Sequence, residues 1–291
     1  MKNRSVFNSP RLLELKRKRR RSLQIKMLIG FFCIVFILGG LSFLSRVKKV
    51  NINEVHVSGN TVVDTEMIKQ TVDENISGYY VWIFPKSNFL LYPKTKIERE
   101  LAQKFKRLKN ISINVNNLHS LDVSVSERTG LYTWCGVVMP VDNALTPDKC
   151  YFLDENGYVF DQAPYFSGEV YLKFYGSLTP QTENPPGSYY YKDNFGKLVH
   201  FTETLKIMGL NPVMIYHKDD GDFEIYLSKK DAGNTNPKII LKDNSDLSVL
   251  AENLQAALST DPLKSDFKNK YGMLQYIDLR FGNKVFYKFG I

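Results

Sequence analysis

Residues 27–45 read MLIGFFCIVFILGGLSFLS, nineteen positions without a charge, bounded by Lys26 and Arg46. A helix over them, rising about 1.5 Å per residue, reaches roughly 28 Å, the hydrocarbon thickness that a single span must cross. Ahead of them stands KRKRRR at 16–21, and residues 1–26 hold ten Lys/Arg against the single Glu14. That bias predicts a cytoplasmic N-terminus. A cleaved secretory signal is the competing reading. Signal cores run about 7–15 apolar residues and end at small side chains, whereas this stretch is longer and leaves through Phe43 and Leu44. The expectation is an uncleaved anchor in the cell membrane, with a basic cytoplasmic tail over 1–26, a transmembrane helix over 27–45, and residues 46–291 outside the cytoplasm.

The net charge of +9 is carried by the tail. Removing its ten bases and one acid from the totals of 39 and 30 leaves 29 against 29, so the remainder has no electrostatic footprint for nucleic acid. The tail serves as a topology signal, with anionic lipid or an acidic cytoplasmic partner as the other use. Of the three cysteines, Cys33 lies in the apolar stretch, and Cys135 and Cys150 follow it. Outside the cytoplasm such a pair can close a disulfide, worth about 3 kcal/mol in the loop-entropy picture; two separate thiols are the other reading. No CxxC or histidine partner suggests a metal.

After the anchor, Val55 and Val57 alternate with polar neighbours in VNINEVHVSGN, and Gly59-Asn60 turns the chain, which predicts a strand and its exit. Asp64 caps a helix with Ile68, Val72 and Ile76 on one face, stopped by Gly78. A ring-rich loop follows at 79–93, whose Trp82, Phe84 and Phe89 are expected to pack over the core rather than rest on the membrane or a partner. Thr95-Lys96-Ile97-Glu98 has the form of a capping box, heading a helix with the stripe Ile97, Leu101, Phe105 and Leu108. Two alternating strands complete this block, one through Ile111, Ile113 and Val115, the other through Leu121, Val123 and Val125.

An anchor, a V-x-V-x-G-N strand, two helices and paired strands ending in Ser126-Glu127-Arg128 together resemble the POTRA domain of the FtsQ/DivIB family of bacterial cell division proteins. The second block extends the resemblance. Glu127-Arg128, then Tyr132-Thr133-Trp134, then the stretch YFLDENGYVF at 151–160 follow the family's order, with Gly130 and Tyr132 where Pro and Ala are common. An insert at 136–149 is a further departure, flanked by Cys135 and Cys150. The terminal passage LQYIDLRFGNKVFYKF at 274–289 is similar to the family's Y-I-D-L-R hairpin. The resemblance implies an α+β chain: a single N-terminal transmembrane helix, a βααββ POTRA domain over 46–127, and over 128–291 a mixed α+β domain built on a mainly antiparallel sheet.

Within that second block the residues predict a turn at 154–157, a strand at 170–174, and a helix through Leu198, Phe201, Leu205 and Met208 that stops at Gly209. A hairpin around Asp219-Asp220-Gly221, a strand at 238–241, and a helix capped by Asp246 with Leu247, Leu250, Leu254 and Leu258 inward come before the final strands. Asp154, Glu155 and Asp161 are read as solvated carboxylates rather than metal ligands.

Catalytic chemistry is not expected. His56, His119, His200 and His217 are scattered, with neither an HExxH pair nor a G-x-S-x-G elbow, and Glu127 with Arg128 and Asp278 with Arg280 read as ion pairs or sheet-surface charges. No cofactor and no metal is expected. The resemblance implies a divisome scaffold at the septum, holding FtsB/FtsL-like partners and through them the septal peptidoglycan synthases. The candidate contact is the last strand: Asn283, Lys284, Val285, Phe286, Tyr287 and Lys288, with Phe281 before the turn. Lys284 and Lys288 as guards of a solvated edge are the opposing reading. A membrane-anchored exported enzyme or ligand-binding protein acting on cell-wall material is the alternative function.

Overall fold

A computed structural model describes residues 10–140, 149–166, 168–229 and 236–290. The first nine residues of the tail and residues 141–148 of the insert lie outside the described residues. The protein is mixed α+β and divides into two compact units. One comprises the described residues through Leu101 with Asn110–Val125; the other comprises Ala102–Lys109 and the described residues from Ser126 onward.

The first unit opens with helix α1, Pro10–Ser45. Its stretch Glu14–Ser45 is long and apolar enough to cross a membrane, and none of its most apolar window is buried in the protein. The helix begins well before residue 27, because arginine, lysine and leucine in the basic run are good helix formers and nothing there breaks the pattern. After a short 3-10 turn come β1 (Glu54–Ser58), α2 (Thr65–Ile76), the two-residue strands β2 (Tyr79–Tyr80) and β3 (Phe84–Pro85), α3 (Lys94–Lys104), β4 (Leu108–Asn116) and β5 (Ser120–Glu127). Strands β1, β5 and β4 form a sheet in that order, with β1 parallel to β5 and Val57 opposite Val123.

Asp64 caps α2 by accepting from the Glu66 N–H, and Ile68, Val72 and Ile76 are buried. Gly59 has φ +89°, and a Cβ there would stand 1.9 Å from the Val125 carbonyl oxygen. Only glycine fits the turn that brings β1 this close to β5. The expected capping box is not formed. Helix α3 starts at Lys94, so Thr95 lies inside its first turn, and the Pro93 carbonyl accepts from the Lys96 and Ile97 N–H groups. The stripe is also shorter than expected: Ile97 and Leu101 are buried from α3, while Phe105 lies past its end and Leu108 begins β4.

The second unit contains β6 (Tyr132–Trp134), β7 (Tyr151–Leu153), β8 (Val159–Gln162), β9 (Lys173–Tyr175), α4 (Phe195–Ile207), β10 (Pro212–His217), β11 (Asp222–Leu227), β12 (Lys238–Lys242), α5 (Leu247–Leu258), α6 (Leu263–Lys270), β13 (Leu274–Phe281) and β14 (Lys284–Phe289). Its nine-stranded sheet runs β14-β13-β12-β11-β10-β9-β6-β7-β8. Five neighbouring pairs are antiparallel and three, β12 with β13, β10 with β9 and β6 with β9, are parallel.

Leu198, Phe201 and Leu205 of α4 and Leu250 and Leu254 of α5 share a core with Ile215, Phe223, Ile225, Ile239, Leu241, Ile277 and Leu279 of the sheet. The Asp246 side chain caps α5 through the Ser248 and Val249 N–H groups, with Leu247 and Leu258 only partly buried. Two large buried side chains have their polar atoms matched: Trp134 Nε1 donates to the Gly176 carbonyl at 2.9 Å and the Tyr190 hydroxyl to that of Tyr175 at 3.2 Å. Cys135 and Cys150 are joined in a disulfide, tying the end of β6 to the start of β7.

Of the three carboxylates at 154–161, Asp154 is out of water, contrary to expectation, whereas Glu155 and Asp161 keep about half of their side-chain surface in solvent and are ion-paired there. Asp154 is fully buried and pairs with Arg128, Glu155 pairs with Lys109 at 3.1 Å and Asp161 with Arg107 at 2.7 Å. Arg128 therefore takes a partner 26 residues away. Arg107 and Lys109 lie in Ala102–Lys109, which belongs to the second unit rather than to the block that ends at 127. Gly130 packs where a Cβ would stand 2.3 Å from the Phe152 ring.

Candidate functional site

The predicted contact residues come together at one end of the large sheet. Among the described residues strand β14 is its terminal strand, paired antiparallel to β13 alone, with Ile277 opposite Tyr287 and Asp278 opposite Phe286. Along β14 the side chains alternate. Val285, Tyr287 and Phe289 pack against the core, and Lys284, Phe286 and Lys288 are exposed. Gly282, at φ +66°, turns the chain between the strands, and the Asn253 side chain of α5 donates to its carbonyl at 3.4 Å. Phe281 and Phe286 meet edge to face at 5.1 Å while remaining 55% and 49% exposed.

Two rings that could bury each other's faces in a core instead form a small apolar platform beside an unpaired backbone. Among the described residues, neither Lys284 nor Lys288 makes an ion pair.

The opposite edge of the sheet differs. Strand β8 is covered by the segment at 187–189: the Val159 N–H donates to Ser188, the Gly187 N–H donates to Val159, and Tyr158 bridges to Tyr189. Among the described residues no comparable bonds reach β14 from the side away from β13. Unpaired N–H and C=O groups on a sheet edge are a template for another strand.

Behind this edge an ion cluster fixes the geometry of β13. Arg280 donates to Asp278 through Nη2 at 2.6 Å and Nε at 2.9 Å, and to Asp222 of β11 through Nη1 at 2.6 Å. Its backbone N–H also donates to Asp278 Oδ1. Burial pushes the Asp278 carboxyl up, but the Arg280 hydrogen bonds outweigh it and hold the group below the usual carboxylate range. The bonds to Asp278 and Asp222 in turn raise the Arg280 guanidinium. The register slips between Asp278 and Phe281, where this cluster sits, and the slip presents Phe281 beside Phe286. Asp222 carries no local sequence signal for this role, because it lies 58 residues from Arg280 and meets it only across the sheet.

A concavity of about 850 Å³ lies between α4 and α5 and is lined by Lys197, His200, Asp243 and Glu252 among others. Of the histidines, His56 is exposed beside Glu54, and His217 stacks on Phe223 at 4.2 Å with Nε2 3.6 Å from Asp243. Two Ser-x-x-Lys spacings occur, Ser45 with Lys48 and Ser265 with Lys268. The Ser45 hydroxyl donates to the Ser42 carbonyl and that of Ser265 to Asp261, so neither is directed at its lysine. Among the described residues no group of three His, Cys, Asp or Glu is arranged to hold a metal ion.

No protein-family model matches the chain, and no curated protein matches it significantly.

Proposed function

We propose that the protein is a non-catalytic, membrane-anchored scaffold of the bacterial divisome, of the FtsQ/DivIB type. In this reading α1 crosses the cell membrane once with the basic tail inside, and the first unit is a POTRA domain. The second unit captures FtsB/FtsL-like partners outside the cytoplasm at the septum, linking them to septal peptidoglycan synthesis.

The observation that carries the proposal is the free edge of β14 beside the exposed pair Phe281 and Phe286. An incoming strand would take its affinity from backbone bonds along 283–288 and its specificity from apolar side chains set against the two rings. Lys284 and Lys288 favour an acidic partner and disfavour the strand's own copies, so their guarding role and a docking role coexist.

Co-purification of the full chain with the C-terminal segment of an FtsB-like partner tests this. Val285→Pro removes a backbone donor from the edge strand and is expected to abolish capture. Because Val285 also packs against the core, the pair Phe281→Ser and Phe286→Ser supplies a variant with the backbone intact. Loss of a ring that anchors an interface costs about 2 kcal/mol, roughly thirtyfold in affinity. Undiminished capture by folded forms of both variants, with circular dichroism as the control, would move the site away from β14.

A further inference from the structure

The hairpin of β2 and β3 carries exposed apolar side chains in a place where they have an evident solvent. Val81 and Trp82 form its tip and are 81% and 91% exposed, with Tyr79 and Tyr80 beside them also exposed. The Ile83 N–H donates to the Tyr80 carbonyl, closing a two-residue turn in which Val81 and Trp82 have φ of 45° and 64°. Positive φ at both central positions normally selects Asn-Gly, and a β-branched valine there is strained. The strained positions hold the two most exposed apolar side chains of the hairpin rather than residues suited to the turn.

The hairpin is tied to the end of α1. The Ser42 hydroxyl donates to the Ile83 carbonyl at 3.1 Å and Arg46 Nη2 to the same oxygen at 3.4 Å. The Arg46 guanidinium lies 5.5 Å from the Tyr79 ring centre, and Asn51 and Asn88 donate to the Ser45 carbonyl at 2.9 and 3.3 Å. These contacts fall where the uncharged stretch stops and Arg46, Lys48 and Lys49 begin. The Lys86 ammonium lies over the Tyr80 ring at 5.9 Å, so the aromatic tip is bordered by cations on its own hairpin as well. Aromatic rings flanked by basic residues at the end of an apolar helix match the boundary between acyl chains and headgroups.

We infer that the 79–85 hairpin is an interfacial anchor, with Val81 and Trp82 seated in the outer headgroup layer of the same bilayer that α1 crosses. This rests on the reading of α1 as a membrane span. It gives the first unit two attachments to one membrane, a span and a wedge, and so fixes its tilt over the lipid surface.

The test uses the full chain reconstituted in phosphatidylethanolamine and phosphatidylglycerol vesicles. The protein has two tryptophans, and Trp134 is 7% exposed in the core of the second unit, so the difference between the native chain and Trp82→Phe isolates the Trp82 emission. Cys33, mid-span and the free cysteine, reports separately on α1 through protection from a membrane-impermeant maleimide. The expected result is Trp82 emission quenched by lipids brominated near the headgroup end of the chain and shielded from aqueous iodide, with Cys33 protected. Iodide quenching without lipid quenching, with Cys33 protected, overturns the hairpin anchor alone. Shielding from both quenchers places the tip against protein rather than lipid and also overturns it. Free labelling of Cys33 overturns the span itself and the hairpin proposal with it.

Discussion

Replacing Arg128 by leucine is the sharpest perturbation of the second unit. Asp154 is fully buried, and it accepts from Arg128 and from the Asn156 and Tyr158 N–H groups at 2.9 and 3.0 Å. Arg128 also donates through Nε to the Lys106 carbonyl at 3.2 Å and lies 4.2 Å from the centre of the Tyr158 ring. Removing one partner of a buried pair strands the other charge, at a cost of about 3–5 kcal/mol. The two remaining backbone donors favour the lower end of that range, and the lost cation–π contact adds about 0.5–1 kcal/mol. For a unit of this size each kcal/mol moves Tm by about 2–4 °C, so a loss of about 3.5–4 kcal/mol lowers it by roughly 7–16 °C.

The assay is thermal unfolding followed by Trp134 fluorescence in a Trp82→Phe background, because Trp134 reports on the second unit and a chain of two units is not expected to melt in one step. Arg128→Leu combined with Asp154→Asn keeps an acceptor for both turn N–H groups and removes both charges, and should recover most of the loss. A single-variant loss below about 1 kcal/mol, or simple additivity of the two substitutions, would refute the reasoning, since stranded partners must couple.

Cys135→Ser with Cys150→Ser should cost about 3 kcal/mol while leaving partner capture intact; free alkylation of both thiols in the native protein, read by peptide mapping, would remove the basis for this. Burial holds the His217 imidazole below its usual range despite Asp243, so its contribution to stability is complete above the unfolded pKa of about 6.5 and is lost as pH falls through the lower folded value. Denaturant titrations between pH 5 and 7 should therefore show a decline that His217→Phe, which keeps a ring on Phe223, flattens; an unchanged slope would dismiss His217 as its source. Protease added to cells with a permeabilised outer layer should remove the bulk beyond Arg46 and spare the tail, whereas protection of that bulk would end the scaffold proposal in its present form.

What was legible in the sequence was local. The cap at Asp64, the cap at Asp246, the glycine stop at Gly209 and the hairpin around Gly221 each depend on residues a few positions apart, and each falls where expected. Local signals also misled. Thr95-x-x-Glu98 had the form of a capping box, but Pro93 just before it already supplied the accepting carbonyl, and the helix started there. The strand expected at 170–174 begins at Lys173, three residues past its expected start, because its partners are Thr133 and Met214 rather than anything nearby. Helix α6 was not anticipated; Pro262 ahead of Leu263 and Phe267 was the available signal. Burial was the hardest quantity to read. Trp82 was expected inside and is outside, while Asp154 was expected in water and is fully buried, since residue type states a tendency and long-range partners decide the case.

The same distinction separates the two edges of the large sheet. Read as sequence, the strands at 159–162 and 284–289 are both short segments after a glycine turn, and nothing local makes one of them the sheet's open side. The difference lies in the chain at 187–189, which returns to bond β8 and leaves β14 without an equivalent cover among the described residues. Arg280 then matters beyond its charge. It joins Asp278 of β13 to Asp222 of β11 at the place where the register of β13 slips and Phe281 stands next to Phe286. The ion cluster and the apolar platform are thus successive parts of one construction, and a substitution at Asp222, distant from the edge in sequence, should act on partner capture through the placement of Phe281.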